Sequence, residues 1–418
     1  MPNHKKQPAP LRVLLVNEFF YPDSQGGTAT ATANIASRLQ DQYGVEVTVI
    51  TSRFAYRDHS VLYSTQEDWN GVSIHRVNSP NWLRASTAKR FLGNYIFALA
   101  VAKRALTLPK TDVMLVTTAP LTVPIAAGLM KRLRGVPYVY IIYDLDPDRT
   151  VALKLKGPDA KEVKLLRKWQ SAWLNRASRV VAIGRCMQEH LVRAYSLPIE
   201  KVAVVEVGAD PDVVKPLPRT TEFRRLHGIE GFVALYSGNF GQYHDFDTLL
   251  GAAKLLRDTH PNITFVLVGN GHKKKVVEER VAQENLTNVR IFDFVPEEDL
   301  ADLLASADIS IVTLEEGMEG LCVPSKFYTC LASGRPTLAL MREEVEVART
   351  VAEADCGLVA NVGDIVGLAK TLVEAATDPE RLERQGKNAR EVFDRLYSID
   401  RVVEKLHRVL KETVKRPL

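Results

Sequence analysis

The chain has 418 residues, more than one ordinary hydrophobic core accommodates, and this length predicts two domains. Hydrophobic residues make up 46% and charged residues 25%, a globular balance that excludes a disordered chain, a collagen and a coiled-coil rod. The 4 cysteines lack Cys-x-x-Cys spacing, and the net charge is only +5, so neither a disulfide framework, a structural zinc site nor nucleic acid is expected.

The sequence predicts a cytoplasmic protein. The first ten residues, MPNHKKQPAP, lack the apolar segment of a signal peptide. The longest apolar stretch, residues 91–102, is shorter than the roughly 20 residues that cross a bilayer and lies between Arg90 and Lys103. We therefore expect at most a peripheral position on the inner face of the plasma membrane.

In the first half of the chain, short runs rich in Val and Ile alternate with helical patterns. Runs that are apolar on both faces are typical of parallel strands covered by helices. The predicted strands are Leu11–Asn17, Val45–Thr51, Val72–Val77, Asp112–Thr117, Tyr138–Tyr143, Arg179–Gly184 and Val202–Gly208. This order predicts a doubly wound α/β domain over residues 1–215.

Two prolines interrupt the pattern and indicate a linker at Lys215–Arg219. The same α/β pattern then restarts, which predicts a second doubly wound domain over residues 216–394. Its predicted strands are Phe232–Gly238, Ile263–Gly269, Val289–Phe294, Asp308–Thr313, Pro336–Met341 and Gly357–Asn361. From about residue 394 an amphipathic helix is predicted, and we expect the tail, residues 395–418, to dock back onto the first domain.

Two domains of this kind leave a cleft at the carboxyl ends of their strands, where such folds bind ligands. After the first strand, Gly26 and Gly27 precede Thr28, which can cap a helix. Backbone N–H groups at a helix start favour an anion, although a plain turn is the alternative. No strand is followed by a complete G-x-G-x-x-G motif, which disfavours a dinucleotide-dependent dehydrogenase.

Three carboxylates, Asp144, Asp146 and Asp148, follow the strand that ends at Tyr143. Carboxylates there could hold a metal, act as acid or base, or bind sugar hydroxyls. We expect a functional role for Asp144, which is nearest the strand. For Asp146 and Asp148, a helix cap and a solvated loop are the favoured interpretation.

Two loops of the second domain suit phosphate. Gly238 and Gly241 lie between a strand and a helix, where backbone N–H groups can cradle a phosphate, and His244 could donate to it or cap the helix. Later, Ser325 stands where a helix should begin and Lys326 is one residue in. A hydroxyl and an ammonium at a helix start suit a diphosphate, although a solvated lysine is the alternative.

In combination these motifs resemble the family-4 retaining glycosyltransferases of the GT-B fold. The resemblance covers nearly the whole chain through the Gly-Gly loop and the segments DLDP, EVGAD, YSGNFG and PSKFYTCLASGRP. It is closest to the bacterial branch that builds cell-surface polysaccharides and lipopolysaccharide O-antigens, which includes fucosamine transferases. The resemblance implies a nucleotide diphosphate sugar, usually UDP-linked, on the C-terminal domain, an acceptor on the N-terminal domain, and no cofactor or catalytic metal.

The resemblance also implies roles for individual residues. Gly27 matches the glycine whose backbone approaches the diphosphate and the acceptor. Phe294 and Val295 match the positions whose backbone reads the base, while Ser325 and Lys326 match the Pro-Ser-Lys of this branch. In this scheme Lys326 stabilises the leaving diphosphate.

Several positions depart from the wider family. Its phosphate-binding Arg and Lys fall on Asn239 and His244, so the cationic role moves to Lys326. Tyr143 stands where a histidine is often found, beside Asp144, which is expected to position a hydroxyl. The residues at the family's glutamate pair are Glu316 or Glu319 near the sugar, and Thr329 at the ribose.

The segment 82–104 mixes aromatic and aliphatic residues with cations, as an anionic membrane surface or a lipid-linked acceptor requires. The residues concerned are Trp82, Leu83, Phe91, Tyr95, Ile96 and Phe97 with Arg84, Lys89, Arg90, Lys103 and Arg104. Core-packed helices with solvated charges are the alternative. For the whole chain, a GT-B-like sugar nucleotide epimerase and a non-catalytic sugar-phosphate binder are the competing functions.

Overall fold

The computed structural model describes residues 9–23, 27–55, 60–80 and 87–415 and confirms two parallel-sheet α/β domains. The first sheet has eight strands in the spatial order β3-β4-β2-β1-β5-β6-β7-β8. These are β1 (Arg12–Val16), β2 (Glu46–Ser52), β3 (Gln66–Trp69), β4 (Val72–Val77), β5 (Val113–Thr117), β6 (Tyr138–Ile142), β7 (Arg179–Ala182) and β8 (Val202–Val204). The helices of this part are α1 (Gly27–Tyr43), α2 (Thr87–Thr107), α3 (Val123–Arg134), α4 (Asp148–Ala152), α5 (Lys161–Arg176) and α6 (Arg185–Tyr195).

The second sheet has six strands in the order β11-β10-β9-β12-β13-β14, and every pair is parallel. They are β9 (Phe232–Ser237), β10 (Ile263–Val268), β11 (Val289–Phe292), β12 (Ile309–Thr313), β13 (Thr337–Leu340) and β14 (Gly357–Ala360). The helices are α7 (Glu222–His227), α8 (Asp247–Leu256), α9 (Lys274–Gln283), α10 (Leu300–Ala305), α11 (Lys326–Ala332), α12 (Glu346–Glu353), α13 (Ile365–Thr377), α14 (Pro379–Val392) and α15 (Ile399–Lys415). None of the helices in the described ranges has the length and apolar character that a membrane span needs.

Strand β3 was not expected from the sequence. It pairs antiparallel with β4 at the edge of the first sheet, and its residues QEDW are exposed or half-buried. An edge strand with few buried side chains lacks the apolar run that identifies the other strands. It is tied to the sheet by Glu67, whose carboxylate lies 2.6 Å from the buried guanidinium of Arg76.

The C-terminal helix begins later than predicted. A π-helical turn at Phe393–Tyr397 continues α14, and the extended residue Ser398 separates it from α15. Helix α15 packs against α1 of the first domain, and Arg38 of α1 forms a 2.8 Å ion pair with Asp400. The backbone N–H of Ile399 donates to the carbonyl of Ala209 at 2.8 Å, which fixes the return of the chain.

The two sheets present their carboxyl ends to the same region of the molecule. In each sheet the order reverses beside the first strand, between β1 and β5 and between β9 and β12. Leu145, just beyond β6, donates its backbone N–H to the carbonyl of Leu321 in the second domain at 2.9 Å. Ligands of doubly wound sheets bind at such reversal points, so a ligand site is expected in this region.

Because α15 packs on the first domain, a mutation that removes a buried side chain from this helix should lower the stability of the protein. Leu406 is fully buried, and Leu406→Ala should lower the free energy of unfolding by about 3 kcal/mol. The exposed Val414 of the same helix is the control, and Val414→Ala should change it by less than about 0.5 kcal/mol. All four tryptophans precede residue 174, so urea unfolding followed by tryptophan fluorescence reports on the first domain. Equal midpoints for the two variants would contradict the packing described.

Candidate active site

A cleft of about 280 Å³ lies between the domains and is lined from both sides. The first domain contributes Arg149, Thr150 and Leu153, and the second contributes Asn239, Gly241 and Tyr243. A larger hollow of about 710 Å³ lies at the opposite edge of the second sheet, where Asp308 and Pro336 precede their strands. That hollow contains none of the predicted site residues, so the cleft is the candidate active site.

The wall formed by the first domain carries a compact group of charges. Arg149 binds Asp144 at 2.9 Å and Asp146 at 2.8 Å, and the hydroxyl of Thr150 donates to Asp146 at 2.9 Å. Burial raises the pKa of the Asp144 carboxyl, while the charge of Arg149 opposes that shift. Asp144 is therefore placed beside the cleft with its charge partly balanced.

The side chain of Asp148 is buried and bonded within the first domain. Its carboxylate is buried and accepts from Arg167 at 2.5 Å and from Nε2 of His190 at 3.1 Å. Burial acts to raise the pKa of Asp148, but these hydrogen bonds outweigh it, so the pKa lies below its usual value. These contacts occupy the side chain inside the first domain.

The loops after β9 and β10 interlock in the wall formed by the second domain. Gly238, Gly269 and Gly271 all have positive φ angles of 140°, 142° and 148°. A Cβ on Gly269 would clash with the carbonyl of Gly238, and one on Gly271 would clash with the side chain of Asn239. Glycine is needed because only a residue without a side chain permits this approach of two backbones.

Lys326 lies directly beneath this loop. A Cβ on Gly238 would be 3.0 Å from its Cε and 3.1 Å from its Nζ. The Nζ atom lies 3.6 Å from the centroid of the Tyr236 ring, is buried, and has no hydrogen-bond partner among the described residues. Burial lowers the pKa of this amine to about 7, because an ammonium without polar partners is disfavoured in the interior.

His244 is buried against β12. Its Nδ1 donates to the carbonyl of Thr313 at 2.7 Å, so it does not cap α8. Burial and the nearby Lys326 hold the pKa of His244 well below its usual value. Lys273, which sequence reasoning missed, binds Glu315 at 2.5 Å and the carbonyl of His244 at 2.7 Å. The only sequence signal for Lys273 is the lysine run at residues 273–275, which reads as a solvated helix start.

None of the other predicted residues in and before α11 forms a hydrogen bond with the amine of Lys326. Glu316 is exposed and pairs with Arg342 at 3.0 Å, while Glu319 lies 4.0 Å from the same guanidinium. Ser325 precedes α11 and is exposed, without a side-chain capping bond. The hydroxyl of Thr329 donates to the carbonyl of Lys326 at 2.8 Å within the helix.

The positions predicted to bind the base follow β11. Phe294 is exposed and Val295 is half-buried against the core. Gly27 is the first residue of α1, whereas Gly26 lies outside the described residues. Within the described ranges, no three His, Cys, Asp or Glu residues are grouped so that they could hold a metal ion. The expectation of a reaction without a metal stays a prediction.

Comparisons with known proteins agree with this arrangement. A family model described as "Glycosyl transferase 4-like domain" matches residues 26–208, and one described as "Glycosyl transferases group 1" matches residues 220–392. Between them the two models account for most of the chain. The chain belongs to the family-4 glycosyltransferases of the GT-B fold.

Particular relatives agree with this class. "Probable glycosyltransferase WbjE" of Pseudomonas aeruginosa is 27% identical over 365 residues, 87% of this chain and 89% of WbjE. HepE of Anabaena, solved in complex with UDP and glucose, has the same fold, with a TM-score of 0.71 at 15% identity over 96% of this chain and 100% of HepE. WaaG, a glycosyltransferase involved in lipopolysaccharide biosynthesis, gives a TM-score of 0.69 at 18% identity over 95% of this chain and 99% of WaaG.

The buried amine predicts an unusual dependence of stability on pH. The pKa of Lys326 falls from its ordinary value of 10.5 to about 7 on folding. Between those values the unfolded chain binds a proton that the folded protein lacks, so stability falls as pH is lowered, by at most about 1.4 kcal/mol per pH unit. Lys326→Met removes this contribution. As pH is lowered from 10 to 7, the free energy of unfolding of the variant should therefore rise relative to that of the native chain.

Urea unfolding at a series of pH values measures this difference. The control is Lys370→Met, at an exposed lysine of α13, which should follow the native chain throughout. If Lys326→Met also runs parallel to the native chain, the amine is not buried in the folded protein.

Proposed function

We propose that this glycosyltransferase moves a sugar from a UDP-linked donor, with retention, to a glycan or lipid-linked acceptor in cell-surface polysaccharide or lipopolysaccharide synthesis. The observation that carries the proposal is Lys326, a buried amine without a hydrogen-bond partner among the described residues, under the glycine loop of the second domain. The UDP complex of HepE and the description of WaaG support the donor and the pathway. The donor sugar is hexosyl or N-acetylhexosaminyl in type.

The chemistry centres on the leaving group. As the bond between the anomeric carbon and the phosphate oxygen breaks, negative charge grows on the diphosphate. Backbone N–H groups near Gly27 and Gly241, together with the ammonium of Lys326, stabilise that charge in a water-poor cleft. The departing phosphate oxygen takes the proton of the acceptor hydroxyl, and closure of the two domains gates the step.

Other residues complete the donor site in this proposal. Backbone groups of Phe294 and Val295 contact the base, and Ser325 contributes its exposed hydroxyl to the diphosphate. Thr329 serves the ribose by accepting from a ribose hydroxyl, since its own hydrogen is donated to the carbonyl of Lys326. Either Glu316 or Glu319 approaches the sugar. Both carboxylates lie near Arg342, so the one that binds the sugar must do so beside that guanidinium.

Two residues act differently from the simplest expectation. His244 donates its Nδ1 hydrogen to Thr313 and its pKa is held low, so the neutral ring supports the loop and has no N–H left for a phosphate oxygen. Asn239 lines the cleft and supplies an amide in place of the cation that the wider family carries there. Both assignments leave Lys326 as the charged group of the donor site.

The acceptor side of the first domain suits a membrane surface. Helix α2 exposes Leu92, Tyr95 and Leu99 on one face, and Lys89, Arg90 and Lys103 are exposed beside them. Apolar side chains among cations are typical of binding to anionic lipid. Two aromatic residues are used inside the domain instead: Phe91 stacks on Trp169 at 5.8 Å and Phe97 is buried. Trp82, Leu83 and Arg84 lie outside the described residues.

Release of UDP from a panel of UDP-sugars, with and without a bacterial lipid extract as the acceptor source, tests the function. A glycosyltransferase releases UDP faster when acceptor is added, an epimerase acts without it, and a binder releases none. Lys326→Ala should lower turnover about a hundredfold, since one such donor contributes about 3 kcal/mol to transition-state stabilisation. Asp146→Ala should lower it far less. Equal, mild losses would refute the role of Lys326.

Sedimentation with lipid vesicles tests the membrane surface. The protein should sediment with vesicles that contain phosphatidylglycerol and remain in solution with pure phosphatidylcholine, because the attraction is electrostatic. Replacement of Lys89, Arg90 and Lys103 by Glu should abolish sedimentation, whereas Glu at Lys370, Lys387 and Lys275 of the second domain should not. If the protein binds neither kind of vesicle, this part of the proposal is contradicted.

A further inference from the structure

Glu18, the second residue beyond β1, is a glutamate that neither the motifs nor the proposed chemistry uses. The backbone N–H of Glu18 donates to the carbonyl of Ala119, beyond β5, at 2.7 Å, and its carbonyl accepts from the N–H of Ser52, at the end of β2, at 3.0 Å. Glu18 is thereby tied to both neighbours of β1. It stands where the strand order of the first sheet reverses, the place at which doubly wound sheets bind ligands.

The surroundings hold this position firmly. The hydroxyl of Thr117 donates to Oδ1 of the preceding residue, Asn17, at 2.5 Å, and both side chains are fully buried. Asn17 in turn donates to the carbonyl of Phe19 at 2.6 Å, so the two residues that flank Glu18 are fixed by one buried amide. A rigid backbone of this kind is what a substrate-positioning residue requires.

The carboxylate itself is left without a partner. Glu18 is half-buried, and no described residue forms a hydrogen bond or ion pair with its side chain. Asp144 at the same sheet edge has Arg149, and Asp23 in the same loop accepts from Tyr63. A half-buried carboxylate without a partner is costly in a structural role and is typical of a functional site.

Burial and one nearby cation determine the pKa of Glu18. Burial raises the pKa of Glu18 to about 7, and Arg90 at the start of α2 is the one described charged group whose field opposes that shift appreciably. The other carboxylates of this edge, Asp23 and Asp144, are bonded elsewhere. The ammonium of Lys326 belongs to the facing domain.

Glu18 lies within reach of the same substrate as the cleft wall. Strand β5 separates β1 from β6, and adjacent strands are 4.7–4.9 Å apart, so Glu18 and Asp144 stand about 10 Å apart along the sheet edge. Arg149 beside Asp144 contacts the cleft opposite Asn239, and α1 starts at Gly27 on the other side. An acceptor bound to the first domain can therefore touch Glu18 while its hydroxyl faces the donor.

We propose that Glu18 binds the acceptor: its ionised carboxylate accepts a hydrogen bond from the attacking hydroxyl and aims that oxygen at the anomeric carbon. The inference rests on the proposed function and adds an acceptor residue to it. The new bond joins the acceptor oxygen to the anomeric carbon as the bond to the phosphate oxygen breaks. The hydroxyl proton passes to the departing phosphate, so Glu18 is ionised before and after transfer.

Glu18→Gln tests this assignment, because the amide keeps the size of the side chain and removes its charge. The probes are UDP in calorimetry and UDP-sugars in a hydrolysis assay, with water in place of the acceptor hydroxyl. The dissociation constant of UDP should stay within twofold of the native value. Turnover should fall about tenfold to a hundredfold, as loss of a hydrogen bond to a charged group predicts.

The pH profile separates a role in the reaction from a structural one. Native turnover should follow a bell centred near pH 7, which rises as Glu18 ionises and falls as Lys326 loses its proton, and Glu18→Gln should keep only the fall. Glu46→Gln, at an exposed position at the other end of the sheet, should keep the native profile.

The possible outcomes are distinct. A Glu18→Gln variant with native turnover and a native pH profile would overturn this inference and leave the proposed function standing. A native protein that binds no UDP and hydrolyses no UDP-sugar would overturn the proposed function and this inference with it. Urea midpoints of the two proteins at pH 8 show whether the variant is folded, and a variant that loses UDP affinity together with stability also overturns the inference.

Discussion

The Nζ atom of Lys326 is buried beneath Gly238 against the ring of Tyr236, and no described residue forms a hydrogen bond with it. A desolvated cation over an aromatic face gains about 2 kcal/mol, which is less than the several kcal/mol that burial of an unpaired ammonium costs. The folded protein therefore holds an amine that titrates near neutral pH. An anion placed at the glycine loop would supply the missing partner, and this imbalance is the physical basis for assigning the donor to the second domain.

The rest of the fold serves to bring a second wall to that loop. Two parallel sheets direct their carboxyl ends to one cleft, and the linker and the returning helix α15 connect them. Ion pairs between α6 and α12 also join the domains, with Arg185 2.9 Å from Glu346 and Arg349 2.7 Å from Glu189. The glycine loop of the second domain thus faces the charged group around Arg149.

Much of this architecture could be predicted from the sequence because buried parallel strands leave a strong signal. The sequence runs that form β1, β5, β6 and β9 are apolar on both faces, and each was predicted to be a strand. Strand β3 was not predicted, because an exposed edge strand has no such apolar run. The start of α15 was misplaced because residues 393–397 continue the helical pattern, while the break at Ser398 depends on its contact with Ala209.

The candidate site was only partly predictable. Lys326 could be singled out because Pro-Ser-Lys follows a glycine-rich approach, but its contact with Tyr236 depends on β9, which lies ninety residues earlier in the chain. Lys273 and Glu18 were missed for the same reason: each looks like an ordinary surface residue until the fold buries it. Spacing along the chain indicates which loops meet, whereas the partners and pKa of a side chain depend on residues distant in sequence.

Hydrogen–deuterium exchange with and without UDP tests the central assignment most directly. If the diphosphate binds between the glycine loop and Lys326, UDP should slow exchange of the amides at residues 238–244 and 325–329 and leave residues 365–377 unchanged. Slower exchange confined to other parts of the chain, or no change at saturating UDP, would contradict the account.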